Sequence, residues 1–275
     1  YGDFVGSAGQ RELKHTRVVL TEEPLRLARP MQEVRRFADM AQVLRFPKSE
    51  NCACVRDLRL IDGVPSFVIG PGSYVEVFAT MNSQGLRFDL TPQQLSASEI
   101  FWGPRGKQEL SKLTSRLKKR YGSVTIRQAV HQYCGGLPGL GDAVASYLIG
   151  MAAVIVTTDG YAVFGRRAKR RVSVNTGINL ATSGGFLFDR DKLESLGLSR
   201  FIETEILREV FEEVAIRGKD CAVTVLALVR ELSRAGSPEI LALVEFYGTL
   251  KALVSRMETN HHAEQDVDAV FAIPL

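Results

Sequence analysis

The sequence predicts a mixed α/β architecture of the α+β type, in which a smaller first part precedes a second part built on a mixed sheet. Its length of 275 residues exceeds one average compact domain and suits two. The hydrophobic fraction of 45% and the charged fraction of 24% are those of a globular chain with sizeable cores. The second half reads as two strands, a helix, a hairpin and a last strand, an order typical of a sheet packed against helices.

The first part is predicted as an arm followed by a small α+β domain. Residues 1–30 show no sustained periodicity and are interpreted as a tail or loosely docked arm. Apolar residues recur every three to four positions in residues 31–46, which predicts an amphipathic helix. Residues 54–80 predict a β-meander, because β-branched and aromatic runs are separated by turn-forming pairs at 62–63 and 71–72.

Short helices complete this part, and Thr91 is the expected cap of the first of them. They are predicted at 91–101, 107–122 and 125–134. The basic run at 115–122 has no interleaved aromatics, so a solvated helix face is favoured over nucleic-acid contact. The PGLG segment marks a boundary. The predicted limits are therefore 1–30 for the arm, 31–140 for the N-terminal domain and 141–275 for the second domain.

Charge and cysteine content limit the class of partner. Lysine and arginine number 35 against 31 acidic residues, a mild surplus that favours small anionic molecules or phosphates over nucleic acid. The longest apolar run, residues 143–158, is shorter than the roughly 18 to 20 residues of a membrane span, so no membrane partner is expected. Cys52 and Cys54 lack a second ligand pair, which disfavours a metal site. Sparse cysteines and the absence of a visible secretory signal favour a cytoplasmic protein, and a homodimer stays open.

The second part has the clearer pattern. It begins with a hairpin at 151–168, whose strands flank the turn Asp159-Gly160. A helix is predicted at 199–217, and strands follow at 221–233, 239–253 and 268–275. The apolar stripe of this helix that is expected to pack inward consists of Leu207, Val210, Phe211 and Val214.

Three glutamates of this helix crowd another face. Glu209, Glu212 and Glu213 stand at i, i+3 and i+4, where like charges repel. One interpretation is an ordinary exposed helix rich in glutamate. The other is a site for Mg²⁺ or Mn²⁺, which take carboxylate ligands together with substrate phosphates.

The motif REVFEEVAI, residues 208–216, resembles the second half of the Nudix box, the signature of the Nudix hydrolases. The matching residues are Arg208, Glu209, Val210, Glu212, Glu213 and Ile216. Upstream, TSGG resembles the glycine pair, Gly184 and Gly185, that opens the box, with Gly185 as the first box glycine. The hairpin resembles the strands that precede the box. The resemblance covers about residues 145–275 and implies a Nudix-type α/β/α sandwich with a mixed sheet.

This chain departs from the family pattern in two places. Arg200 stands where the family has a glutamate, and the loop carries an insertion of about nine residues. Asp191 and Glu203 are candidates to replace that glutamate as the partner of Arg208. Ala215 stands where the family has glycine, and alanine is comfortable within a helix. The sequence therefore predicts that the helix continues to about Arg217 and is closed by the next glycine.

The resemblance implies Mg²⁺-dependent hydrolysis of a nucleoside diphosphate linked to another moiety. In that reading Glu209, Glu212 and Glu213 hold the metal and Arg208 orients them, with Glu212, Glu213 and Arg208 forming the catalytic set. Glu264 is the expected extra ligand or base, chosen from the acidic residues Glu264, Asp266 and Asp268 before the last strand.

A basic run at 165–171 follows the second strand of the hairpin. Arg166 and Arg167 are the residues expected to reach substrate phosphates, alongside the glycine pair, whereas the alternative is that the run only keeps a loop soluble. The competing functional hypothesis is a catalytically impaired Nudix-fold nucleotide-binding or regulatory protein. A third is an unrelated α+β protein with a glutamate-rich helix.

Overall fold

A computed structural model describes residues 15–23, 25–42, 51–167, 178–259 and 267–275. It confirms the α+β class, with helices packed on two mixed sheets. None of the helices in these ranges is both long and apolar enough to cross a membrane.

The first sheet has the strand order β1-β3-β2-β4. Its strands are β1 (Arg17–Leu20), β2 (Asn51–Ile61), β3 (Val64–Ser73) and β4 (Tyr147–Leu148). Strand β1 pairs in parallel with β3, so this part of the predicted arm belongs to the sheet. The prediction missed it because a four-residue edge strand is too short to show a period.

Of the two predicted turns, one is confirmed. Asp62 and Gly63 have φ of 55° and 76° and join β2 to β3. Pro71 and Gly72 lie inside β3, where they pair with Ala53 and Cys52, so a turn there was wrong. Gly72 is needed for close approach, because a Cβ would lie 2.4 Å from Cys54 Sγ.

The predicted third strand of the meander is helical. Tyr74–Val77 form a helical turn and Phe78–Asn82 a π-helix. The β-branched residues predicted a strand, but Val77 and Met81 are fully buried in this helical segment, and burial decides over strand propensity.

Three helices cover this sheet: α1 (Arg29–Gln42), α2 (Pro92–Tyr121) and α3 (Ile126–Cys134). Thr91 caps α2 as predicted, accepting from the amide of Gln94 at 3.2 Å. Two of the predicted helices are parts of α2, which breaks at Gly103 with φ of 69°. Part of the basic run contacts other elements rather than solvent alone, since Arg116 and Arg120 both pair with Glu33 of α1.

The second sheet has the order β11-β6-β5-β10-β9, with β7 beside β6 and β8 beside β5. Its strands are β5 (Gly150–Thr157), β6 (Tyr161–Arg167), β7 (Ile178–Leu180), β8 (Thr182–Gly185), β9 (Cys221–Glu231), β10 (Ser237–Phe246) and β11 (Val267–Pro274). The β5–β6 hairpin and the last strand are confirmed. Strand β10 ends earlier than predicted, because α5 (Leu250–Thr259) begins there. Asp159 accepts from the first amide of α5, Leu250, at 2.9 Å.

Helix α4 (Arg190–Val214) starts earlier than predicted and breaks at Gly197, with φ of 69°. One hydrophobic cluster runs through both parts of the chain, from Leu27 to Leu253. Backbone bonds also join the parts, from the amide of Ala53 to Phe186 O at 2.8 Å and from the amide of Ile149 to Ala53 O at 2.9 Å. This core crosses the boundary placed at PGLG, and the domain limits stay predictions.

Candidate active site

The second part of α4 lies against β8 and the three residues that follow it. A Cβ on Gly184 would lie 2.2 Å from the carboxylate of Glu209, so only glycine allows this approach. Glu213 accepts from the amide of Ser183 at 2.8 Å. In the sequence, only the family resemblance connects the TSGG strand with the glutamate helix. In the structure the two are in direct contact.

The glutamate face is mostly buried. Glu209 and Glu213 are buried, whereas the side chain of Glu212 is 52% exposed. Phe211, predicted to face inward, is 44% exposed and was wrongly assigned. The prediction assumed that only the apolar side chains of this helix are buried. Strand β8 instead presents backbone amides to the helix, and buried carboxylates can accept hydrogen bonds from them.

Arg208 is the centre of the cluster. Its guanidinium donates to Glu205 at 3.0 Å, Glu209 at 2.7 Å, Glu212 at 2.8 Å and the carbonyl of Gly185 at 3.2 Å. Burial alone would lower the pKa of Arg208, but the carboxylates of Glu209, Glu205 and Glu212 outweigh it and raise that pKa. Arg208 therefore fixes the positions of these three carboxylates relative to β8.

Glu205 is the site residue that sequence reasoning missed. Only 1% of its side chain is exposed, and besides Arg208 it accepts from the amide of Leu187 at 3.1 Å. Asp191 and Glu203, the two predicted partners of Arg208, are exposed. The available signal was spacing, since residues 205, 209 and 212 follow the i, i+4, i+7 pattern of one helix face.

Helix α4 ends at Val214, and Ala215 is left-handed with φ of 60° and ψ of 22°. The predicted extension to Arg217 was therefore wrong. Ile216 is fully buried, and reaching that position requires the chain to turn directly after Val214. Burying an isoleucine side chain stabilises the fold by about 1.5 to 3 kcal/mol. This exceeds the roughly 1 to 2 kcal/mol that the left-handed conformation costs an alanine. Ala215 thus adopts a conformation that favours glycine.

Replacing Ala215 by glycine is expected to raise the free energy of unfolding by about 0.5 to 1 kcal/mol. The gain is the relief of Cβ strain, reduced by the larger entropy of glycine in the unfolded chain. Urea denaturation of both proteins measures it. The control is Ala252→Gly, at an exposed position of α5, which should lower the free energy of unfolding by about 0.5 to 1 kcal/mol. A destabilised Ala215→Gly variant would contradict the strain argument.

The remaining predicted residues are placed only in part. Arg166 is exposed near the end of β6, where this strand has left β5 and pairs with β7. Gly185 packs on Leu148, whose Cδ2 would lie 2.7 Å from a Cβ there. The backbone of Arg167 ends β6, and its side chain lies outside the described residues, as does all of Glu264. Asp266 also lies outside them.

The charges of the cluster fit a cation. Glu205, Glu209 and Glu212 pair with Arg208, and Lys192 Nζ, 4.0 Å from Glu205, is a second positive group. Burial raises the pKa of Glu209 despite the neighbouring guanidinium, so its charge is incompletely compensated. Carboxylate oxygens are the donors that Mg²⁺ prefers. Within the described ranges, however, no three acidic, cysteine or histidine side chains form a group that could hold a metal ion.

No protein-family model matches the chain, and no curated protein matches its sequence. Solved structures do match it in part. DR0079 from Deinococcus radiodurans is 15% identical over 43% of this chain and 77% of that one, with a TM-score of 0.28. NrtR from Shewanella oneidensis is 19% identical over 46% of this chain and 52% of that one, with a TM-score of 0.29.

The Nudix hydrolase RenU from M. smegmatis is 10% identical over 46% of this chain and 71% of that one, with a TM-score of 0.29. The Nudix domain of NrtR, solved with ADP ribose, is 18% identical over 46% of this chain and 72% of that one, with a TM-score of 0.27. Part of this chain is similar to Nudix proteins. These likenesses are partial, and each TM-score is below 0.3.

Proposed function

We propose that this protein is a Mg²⁺-dependent pyrophosphohydrolase of the Nudix type, acting on a nucleoside diphosphate linked to another moiety. The observation that supports the proposal is the excess of carboxylates over cationic groups on α4. Arg208 forms ion pairs with three glutamates, and Glu213 is a fourth on the same helix face. A buried surplus of negative charge is costly unless a cation compensates it.

In this proposal Glu209, Glu212 and Glu213 would hold the metal, which when bound would neutralise charge on the diphosphate and supply a water of lowered pKa. Glu212 is the most accessible of the three and is therefore the one best placed to contact a metal that arrives with substrate. Arg208 holds Glu205, Glu209 and Glu212 in place, and the amide of Ser183 holds Glu213. Arg166, Arg167 and Glu264 complete the proposed set as phosphate ligands and additional acid or base.

The test is the formation of the two phosphomonoester products from a panel of nucleoside diphosphate derivatives, ADP ribose among them, with Mg²⁺ or Mn²⁺, followed by chromatography. We expect Glu212→Gln to lower turnover roughly 10- to 100-fold, as changes around a metal site do. Glu203→Gln, exposed on the same helix, is the matched control and should keep the wild-type rate. Equal rates for wild type and Glu212→Gln would refute the metal role.

Neutralising Arg166 and Arg167 together tests the phosphate contact separately. We expect KM for the diphosphate substrate to rise about 100-fold, because each charge-assisted bond to an oxyanion contributes roughly 1.5 kcal/mol, or about a factor of ten. The control is Arg217→Gln, an exposed arginine three residues after the end of α4. Unchanged kinetics of the double variant would assign the two arginines to solubility.

The second candidate is a Nudix-fold protein that binds a nucleotide without turnover. It is favoured by the lack of a converging carboxylate group among the described residues. Calorimetric titration with the same panel distinguishes the two functions. Binding without formation of the phosphomonoester products, in the presence of either metal, would support this candidate over the enzyme.

A further inference from the structure

Helix α2 carries the positive charge of this protein. Residues 99–121 contain seven lysines and arginines and two glutamates, a net charge of +5, whereas the whole chain has a net charge of +4. Four of these cations, Lys107, Arg116, Lys118 and Arg120, form ion pairs. The other three, Arg105, Lys112 and Lys119, pair with none of the residues that the structure describes.

These three cations form a row. They are seven residues apart, so they share one helix face at intervals of about 10 Å. All three are exposed. The buried face of the same helix is formed by Leu110, Leu113 and Leu117. The row is therefore a cationic edge, fixed to the core by the leucines behind it.

An apolar corner lies at the start of this row. Ile100, Phe101 and Trp102 are 82%, 47% and 52% exposed, directly before the break at Gly103. The corner has a defined shape, because Glu99 and Lys107 form an ion pair of 2.5 Å across the break. Glycine is also required at position 106 for this shape, because a Cβ there would lie 2.1 Å from Trp102 Cβ.

Exposing consecutive large apolar side chains in water opposes the hydrophobic effect, and such patches mark interaction sites. Aromatic and aliphatic residues beside lysine and arginine are typical of surfaces that enter the headgroup region of anionic bilayers. Single-stranded nucleic acid would use the cations and stack on the aromatics, but the most exposed residue, Ile100, offers no ring for stacking.

We propose that the corner Ile100–Trp102 and the row Arg105, Lys112 and Lys119 form a docking surface for an anionic phospholipid bilayer. The apolar corner enters the interface, and the cations contact the lipid headgroups. The sequence led us to expect no membrane partner because no segment is long enough to span. A peripheral contact of this kind needs no spanning segment.

Trp102 is the only tryptophan in the chain, so its emission reports on the corner directly. The intact protein is titrated with vesicles of phosphatidylcholine mixed with phosphatidylserine, and with vesicles of phosphatidylcholine alone. We expect a blue shift of the Trp102 emission and co-sedimentation of the protein with the anionic vesicles only. Salt should reverse both effects, because it screens the attraction between the cations and the lipid headgroups.

Variants locate the surface. The triple change Arg105→Gln, Lys112→Gln and Lys119→Gln should weaken partitioning about 100-fold, since each cation near an anionic surface contributes roughly fivefold. Ile100→Ser with Phe101→Ser keeps the tryptophan and should abolish the blue shift. Leu60→Ser, a 72% exposed leucine at the β2–β3 turn, is the control and should bind like the wild type. Circular dichroism verifies that each variant is folded.

Three outcomes overturn the proposal. The first is the absence of both blue shift and co-sedimentation with anionic vesicles at low salt. The second is a spectral response to a single-stranded oligonucleotide without one to vesicles, which would assign the surface to nucleic acid. The third is a blue shift that depends on protein concentration alone, which would assign it to contact with a second copy.

Discussion

Replacing Glu205 by alanine is expected to lower the free energy of unfolding by about 2 to 3 kcal/mol. Removing one partner of a buried ion pair costs about 3 to 5 kcal/mol, and the 21% exposure of Arg208 reduces that figure here. Arg208 also retains Glu209 and Glu212, which limits the loss. The amide of Leu187 loses its acceptor as well. Chemical denaturation followed by circular dichroism measures the change.

Glu203→Ala is the matched control for this change. Glu203 is exposed two residues earlier on the same helix, so its replacement should alter stability by less than about 0.5 kcal/mol. Glu205→Gln separates charge from shape, because glutamine retains an acceptor for Leu187 but not the charge that faces Arg208. If Glu205→Ala were as stable as Glu203→Ala, the pairing with Arg208 would contribute nothing to the fold.

Gly184→Ala is expected to reduce the proposed hydrolysis about 100-fold, since a displacement of about 1 Å at a site can have that effect. The new Cβ would lie 2.2 Å from the Glu209 carboxylate, so either this side chain or β8 must move. Glu209 is buried beside Arg208 and cannot move without disturbing that pair. The rate at which the phosphomonoester products form, and its Mg²⁺ dependence, report the effect.

The control for Gly184→Ala is Gly85→Ala. Gly85 has open space around its Cα, and its φ lies outside the left-handed region, so alanine fits there. Stability is measured in parallel, because a local displacement should lower activity more than it lowers the free energy of unfolding. A Gly184→Ala variant with wild-type turnover would show that the approach of Glu209 to β8 is not part of the site.

Local chemistry made several elements predictable from the sequence. The Thr91 cap and the Asp62-Gly63 turn depend on residues within four positions of each other, so their pattern is complete in a short segment. TSGG and the glutamate helix were also assigned to one motif, but only because REVFEE resembles a known one. Composition and periodicity alone left Glu209, Glu212 and Glu213 open to an ordinary exposed face.

The sequence by itself determined the fold class, the order of most strands and helices, and the residues from which a metal site could be built. Only the tertiary structure decided which glutamates pair with Arg208, where α4 ends and which face of it is buried. The reason is that each of these depends on residues distant in the chain. Leu187 supplies the amide for Glu205, β8 covers Glu209, and burial of Ile216 places Ala215 in a left-handed conformation that its own propensity opposes.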